Sequence, residues 1–474
     1  MNLRRAPVVA AVVLALLAGC TGPPPAPHPS PSPSATFRPG AADIGDPYYP
    51  GLGNGGYDVA SYTLELTYEP GSRLLTGHAV IAATATQDLS RFNLDFHGLT
   101  LTETEVDGVA ATVQRQGDEM VVTPPAGLAS GARFTVDIRY HGVPTPYQGR
   151  LSGGFMAQPD GAIAVGEPVG AASWFPVNDH PRDKATFRIA VTAPENLVAL
   201  SNGVLVSRET RSGHTTWTWA GRDPMASYLA TVVIGAYRLQ QGTHNGLPVV
   251  SAIGADLPTG IDAQLARTPE IIDFLQTQFG PYPFDAMGGI AINDHGVGYA
   301  LENQTRPVYG PAFFDGGADA TGVIAHELAH QWYGDSVSVD SWKEIWLNEG
   351  FASYAEWLWD EHRHFGPPQE RFDDLYARTD SAVWSVPTGD PGPANQFSRH
   401  GVYERGAMTL QALRMTVGDP AFFQILRDWA AQRRNATATT AQFIALAEQV
   451  SGRSLDALFQ AWLYGTTRPP RPAS

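Results

Sequence analysis

Between Tyr57 and about Tyr237 apolar residues recur at every second position, and after about residue 260 they recur with a helical period instead. In "YTLELTYE", Tyr62, Leu64, Leu66 and Tyr68 point to one side while Thr63, Glu65, Thr67 and Glu69 point to the other. "RFTVDIRY" repeats this with Phe134, Val136, Ile138 and Tyr140, and "FRIAV" with Phe187, Ile189 and Val191. Turn signals such as "EPGS" (69–72) and "PENL" (194–197) divide the runs, so a largely antiparallel β domain is expected. Downstream, "TPEIIDFLQTQFG" places Thr268 as the candidate N-cap, Pro269 in the first turn and Gly280 just past the end of a helix. "SLDALFQAWLYG" reads as a last helix whose stripe is Leu455, Leu458, Phe459, Trp462 and Leu463. The 474 residues suffice for two or three domains.

The formal charge of −16 argues against nucleic acid as a partner, because neutralising phosphates needs clustered Lys and Arg. The single cysteine, Cys20, excludes an intramolecular disulfide. It follows Arg4, Arg5 and an apolar run from Ala6 to Gly19, which suits a signal peptide better than a membrane span. "LAGC" resembles the bacterial lipobox, which implies lipidation of Cys20. The Pro- and Ser-rich stretch that follows cannot build a core and is expected to be an extended tether.

"TGVIAHELAHQWYGDS" carries two histidines four apart. On a helix this spacing directs His326 and His330 to one point, with Glu327 about 100° round from His326 and able to reach a water there. A catalytic zinc needs a third protein ligand. Glu349 in "WKEIWLNEGFASYAEWL" is the best candidate, since the 18 intervening residues allow a turn and a second helix. Glu356 lies two helical turns further on the same face, where it could accept the free N–H of a zinc histidine.

This constellation resembles the gluzincins, specifically the membrane alanyl aminopeptidase (aminopeptidase N) family of zinc metallopeptidases, in a short bacterial lipoprotein form. "YDVASYTLELTY", "GEPVGAASWFPVNDHPRDKATFRIAVTAP", "PMASYLATVVIGAY", "FGPYPF" and "VYERGAMTLQALR" carry further likeness, from about residue 57 to 468. The resemblance implies an N-terminal antiparallel β-sandwich-like domain followed by a thermolysin-like, mostly helical zinc-peptidase domain. The expected boundaries are a signal peptide with lipobox at 1–19, a tether at 20–45, a β domain at 46–240, a catalytic domain at 241–468 and a tail at 469–474.

By resemblance, one Zn2+ per chain would sit on His326, His330 and Glu349, with Glu327 as general base and Tyr403 as oxyanion donor. Glu302, in "GVGYALENQTR", and Glu167, in "GEPVGAASWFP", would hold the substrate's free ammonium. Tyr299 stands where the family has glycine and Leu301 where it has methionine, which would reshape the first-residue pocket. Larger members continue into a helical domain that roofs the cleft; this sequence ends at Ser474, so a more open cleft is expected unless a second subunit covers it. The expected partners are peptides with a free N-terminus and, through the lipid anchor, the outer face of a bacterial cell membrane. Two other readings compete: a zinc endopeptidase with an open cleft, and an inactive peptide-binding surface lipoprotein.

Overall fold

A computed structural model describes residues 36–149, 153–378 and 383–472. Cys20, the expected signal peptide and most of the expected tether lie outside the described residues.

The alternating runs pair into an eight-stranded sheet. Its order is Val204–Arg211, His214–Met225, Ala185–Pro194, Tyr57–Glu69, Leu74–Ala85, Arg133–Gly142, Thr100–Val106 and Val109–Ala110. Neighbours are antiparallel except Tyr57–Glu69 and Ala185–Pro194, whose parallel register sets Tyr62 beside Phe187 and Leu64 beside Ile189. That register puts apolar faces in line: Tyr62, Leu64, Leu66 and Tyr68 are buried, and the Tyr62 and Phe187 rings stack at 4.9 Å.

Two four-stranded sheets share this core. One contains Gly154–Ala157, Ala162–Val165, Val232–Gly235 and Val198–Ser201, and the chain leaving Ala162–Val165 carries Glu167. The other has Arg38–Pro39 as an edge strand parallel to Leu89–Asp95. These two residues were expected to be free tether. They dock through backbone bonds, Arg38 N–H to the Asp88 carbonyl at 2.9 Å and Gly40 N–H to the Arg91 carbonyl at 2.8 Å, while the neighbouring Phe37 ring lies against Gly127.

A five-stranded sheet opens the second region, in the order Tyr237–His244, Leu247–Gly254, Met287–Ala291, Val308–Tyr309 and Ala300–Leu301. Helices follow: α1 (Gly260–Leu265), α2 (Thr268–Phe279), α3 (Thr321–Ala329), α4 (Trp346–His362), α5 (Pro368–Ala377), α6 (Arg405–Val417), α7 (Asp419–Gln432), α8 (Thr440–Ser451) and α9 (Asp456–Phe459).

Two sequence expectations fail here. Thr268 is not the cap of α2: Arg267 is already helical, its carbonyl accepts the Ile271 N–H, and the Thr268 hydroxyl is buried without a partner among the described residues. Pro269 still falls in the first turn, where its missing N–H costs nothing. The C-terminal stripe is also not one α-helix, because α9 passes into a π-turn at Gln460–Tyr464. The buried Arg405 guanidinium explains this by binding the carbonyls of Trp462, Ala461 and Gly465 at 2.9, 3.3 and 2.7 Å.

Candidate metal centre and active-site cleft

α3 and α4 pack against each other and bring three side chains to one point. His326 lies near the end of α3 and His330 is its C-cap, still in helical conformation, so the four-residue spacing keeps both rings on one side. Their centroids are 4.8 Å apart. Glu349, in the first turn of α4, sets Oε2 3.3 Å from His326 Nε2 and 3.5 Å from His330 Nε2. The chain then turns sharply at Gly334 (φ 139°), where a Cβ would sit 3.1 Å from His330 Nδ1.

The outer nitrogens decide what the inner ones can do. His326 Nδ1 meets Glu356 Oε1 at 2.7 Å, and His330 Nδ1 meets the Tyr333 carbonyl at 3.0 Å. Both partners are acceptors, so each Nδ1 carries a proton and each Nε2 is turned toward Glu349, where it offers a lone pair whenever the ring is neutral. With both rings neutral, two lone pairs face a carboxylate oxygen, an arrangement stabilised by positive charge, whether protons on the rings or a bound cation. Tetrahedral zinc with bonds of ~2.0–2.1 Å separates its ligand atoms by roughly 3.3 Å, which is the spacing found. The residues fit zinc in donor type and in span.

The surrounding carboxylates favour positive charge at this point, carried by the rings themselves or by a bound cation. Burial would raise the Glu349 carboxyl, but the two imidazoles outweigh it and hold the group down at about 2. Burial would likewise lower His330, yet Glu302 and Glu349 carry it up to about 9. Glu327 points into the same space; burial first, then Glu302 and Glu349, push it up to about 8 against the opposing histidines.

A cleft of about 670 Å³ contains these groups together with Glu302, Glu167, Tyr403 and Glu356. Glu302 follows the edge strand Ala300–Leu301 and accepts the Tyr228 hydroxyl at 2.9 Å; its backbone carbonyl accepts Gln331 Nε2 at 3.0 Å. Glu167 lines the same cleft, with Oε1 buried and without a hydrogen-bond partner among the described residues. Burial and the neighbouring carboxylates Glu302 and Glu349 raise Glu167 well above its ordinary range. Two close carboxylates inside a cleft make a receptor for a cationic group. Tyr299 lines the cleft, whereas Leu301 is buried beneath the strand, so of the two departures only Tyr299 can reshape the pocket.

Tyr403 projects from a π-turn, Arg399–Glu404, and its ring lies parallel to His326 at 6.0 Å. Gly350 and Gly406 let the backbones of α4 and α6 touch: a Cβ on Gly350 would sit 2.9 Å from Gly406 Cα. Sequence reasoning missed Tyr228, which looks like one more strand aromatic until the fold brings it to Glu302, 74 positions away.

The comparisons agree with this geometry. The chain matches the Peptidase family M1 domain over residues 263–462 and the Peptidase M1 N-terminal domain over residues 59–229. The crystal structure of an M1 zinc metallopeptidase from Deinococcus radiodurans superposes with a TM-score of 0.84 at 29% identity, covering 91% of this chain and 99% of that one. A mutant of the Deinococcus enzyme bound to the substrate Tyr-Ser-Ala is 30% identical over the same 91% and 99%. Aminopeptidase M1 of Arabidopsis thaliana is 27% identical over 323 residues, 64% of this chain and 36% of that protein. Human glutamyl aminopeptidase is 32% identical over 209 residues, 41% of this chain and 22% of that protein. The chain thus matches about a third or less of the length of these curated relatives. Fold and site define a two-domain zinc metallopeptidase. This chain belongs to the M1 family.

Proposed function

We propose that the chain is a zinc aminopeptidase that removes N-terminal residues from peptides. The observation that carries this reading is that Glu302 and Glu167 line one cleft with His326, His330 and Glu349 and interact electrostatically. A peptide's α-ammonium, charged at neutral pH, would place its first peptide bond over the metal site by binding these carboxylates. His326, His330 and Glu349 would hold zinc, which when bound supplies Lewis acidity toward the scissile carbonyl and toward water. Glu327 takes the proton of the attacking water and delivers it to the leaving amine nitrogen, so the proton count closes. The Tyr403 hydroxyl donates to the carbonyl oxygen as negative charge develops there, a contribution of ~3 kcal/mol for one positioned donor. Glu356 and the Tyr333 carbonyl fix the imidazole orientations.

Matched peptides with free and N-acetylated termini test the assignment, with zinc measured on the same sample. The free peptides should be cleaved at least ~100-fold better, since blocking removes an ion pair with buried carboxylates. Equal rates on both would support an endopeptidase and demote Glu302 and Glu167. Full zinc occupancy without turnover of any peptide would favour the inactive peptide-binding lipoprotein.

We also propose, from the lipobox-like "LAGC", that Cys20 is lipidated and holds the protein on the outer face of a bacterial cell membrane. Cys20→Ser should move the protein from the membrane fraction to the soluble one; an unchanged distribution would refute the anchor.

A further inference from the structure

Residues 388–398, "TGDPGPANQFS", lead directly into the π-turn that bears Tyr403, and they belong to no helix or strand. With two prolines and two glycines they cannot order themselves through a ladder. The middle of the segment is held by "DPYYP" (46–50), 342 to 347 positions earlier in the chain. The Tyr48 hydroxyl donates to Asp390 Oδ1 at 2.6 Å and accepts the Gly392 N–H at 2.6 Å. The Tyr49 hydroxyl donates to Oε1 of the buried Gln396. Backbone bonds continue from there: Asn395 N–H to the Gly392 carbonyl at 3.0 Å, Ser398 N–H to the Asn395 carbonyl at 2.9 Å, and Val402 N–H to the Ser398 carbonyl at 2.8 Å. Tyr403 is the next residue.

We propose that Tyr48 and Tyr49 are positioning residues for Tyr403, acting as a strap that holds the 388–398 segment and thereby sets the phenol over the metal site. The inference rests on the reading of Tyr403 as oxyanion donor. The start of the segment is tied by Gly389 N–H to the Leu463 carbonyl at 2.9 Å and by the Thr388 hydroxyl to the Gly401 carbonyl at 2.7 Å, whereas the tyrosine hydroxyls hold its middle, from Asp390 to Gln396, before it enters the cleft at Phe397. The same strap also touches the support of the amine site. Tyr49 meets Trp342 edge-on at 6.1 Å, Trp342 meets Tyr228 at 5.2 Å, and Tyr228 donates to Glu302.

A double-mutant cycle on the full chain separates positioning from stability. Tyr48→Phe, Tyr49→Phe and their combination would be measured with and without Tyr403→Phe, using an aminoacyl anilide, with zinc content and thermal midpoint recorded. The rings stay in place, so only the hydroxyl bonds are lost. The combined variant should lose about tenfold in kcat, since misplacing a reacting group by about 1 Å can cost ~100-fold, with KM and zinc content nearly unchanged. In the Tyr403→Phe background the same substitutions should change kcat less than about twofold. Unchanged kcat in the combined variant, or an undiminished loss when Tyr403 is already Phe, would overturn the positioning role alone. Full activity of Tyr403→Phe by itself would remove the donor assignment, and this inference with it.

Discussion

Asp46 with His180, and Glu349 with His326 and His330, are both buried carboxylate–imidazole clusters, and they differ in where their lone pairs go. Asp46 Oδ1 accepts the Tyr48 N–H at 2.8 Å. Its Oδ2 accepts His180 Nε2–H at 3.1 Å, the Ser341 hydroxyl at 2.9 Å and the Trp342 N–H at 2.8 Å. His180 Nδ1 in turn accepts the Arg182 N–H at 3.1 Å, so this cluster is closed by protein donors. At Glu349 the protein does the reverse: the outer nitrogens are given acceptors, and the two inner nitrogens converge on one carboxylate oxygen. Residue type alone does not mark a metal site. The direction in which each imidazole carries its proton does.

The comparison is sharpened first by removing each carboxylate. Glu349→Ala should abolish stoichiometric zinc and lower peptide cleavage by ~10³ or more while the chain remains folded, as metal analysis and circular dichroism would report. Asp46→Ala should leave zinc in place and destabilise the fold by about 3–5 kcal/mol, because four donors lose their acceptor. A zinc loss in Asp46→Ala, at a temperature where it is folded, would break the distinction. Next in size, Glu327→Gln should retain zinc and lose ~10²–10⁴ in kcat, since it removes the base and not a ligand. Smaller again, Glu356→Gln should weaken zinc affinity by ~10–100-fold in a chelator competition, with the bound form still active.

The smallest effect is a pH dependence at the closed cluster. Burial would raise the Asp46 carboxyl, but the bonds from His180, Trp342, Tyr48 and Ser341 outweigh it and hold the group below its usual range. A depressed acid stabilises the fold fully above its unfolded value of ~3.9 and loses that contribution as pH falls through it toward the folded value. The thermal midpoint of the wild type should therefore fall more steeply below about pH 4 than that of Asp46→Asn. Parallel curves would show that Asp46 is not the group responsible.

The pairing of His326 with His330 was legible in the sequence because its geometry is local: four residues on a helix fix two rings, and seven residues place Glu356 on the face of Glu349. The β domain was legible for the same reason, since period two decides which side is buried. Contacts between distant segments left no such trace. Trp342 lies 296 positions from Asp46, and nothing in "GDPYYP" distinguishes a strap from a turn. The helix start at Thr268 was misplaced because Arg267 is already helical, whereas at the π-turn after Phe459 a tertiary partner overrode the local signal. At the C-terminus that partner was Arg405, which takes carbonyls an α-helix would have used.

Anomalous diffraction at the zinc edge on crystals of the purified chain tests the central claim most directly. The account predicts one peak per chain, within bonding distance of His326 Nε2, His330 Nε2 and a Glu349 oxygen, and no peak near Asp46 and His180. A chain that crystallises in this fold with no peak at the three inward-turned ligands, or with its zinc bound elsewhere, would contradict it.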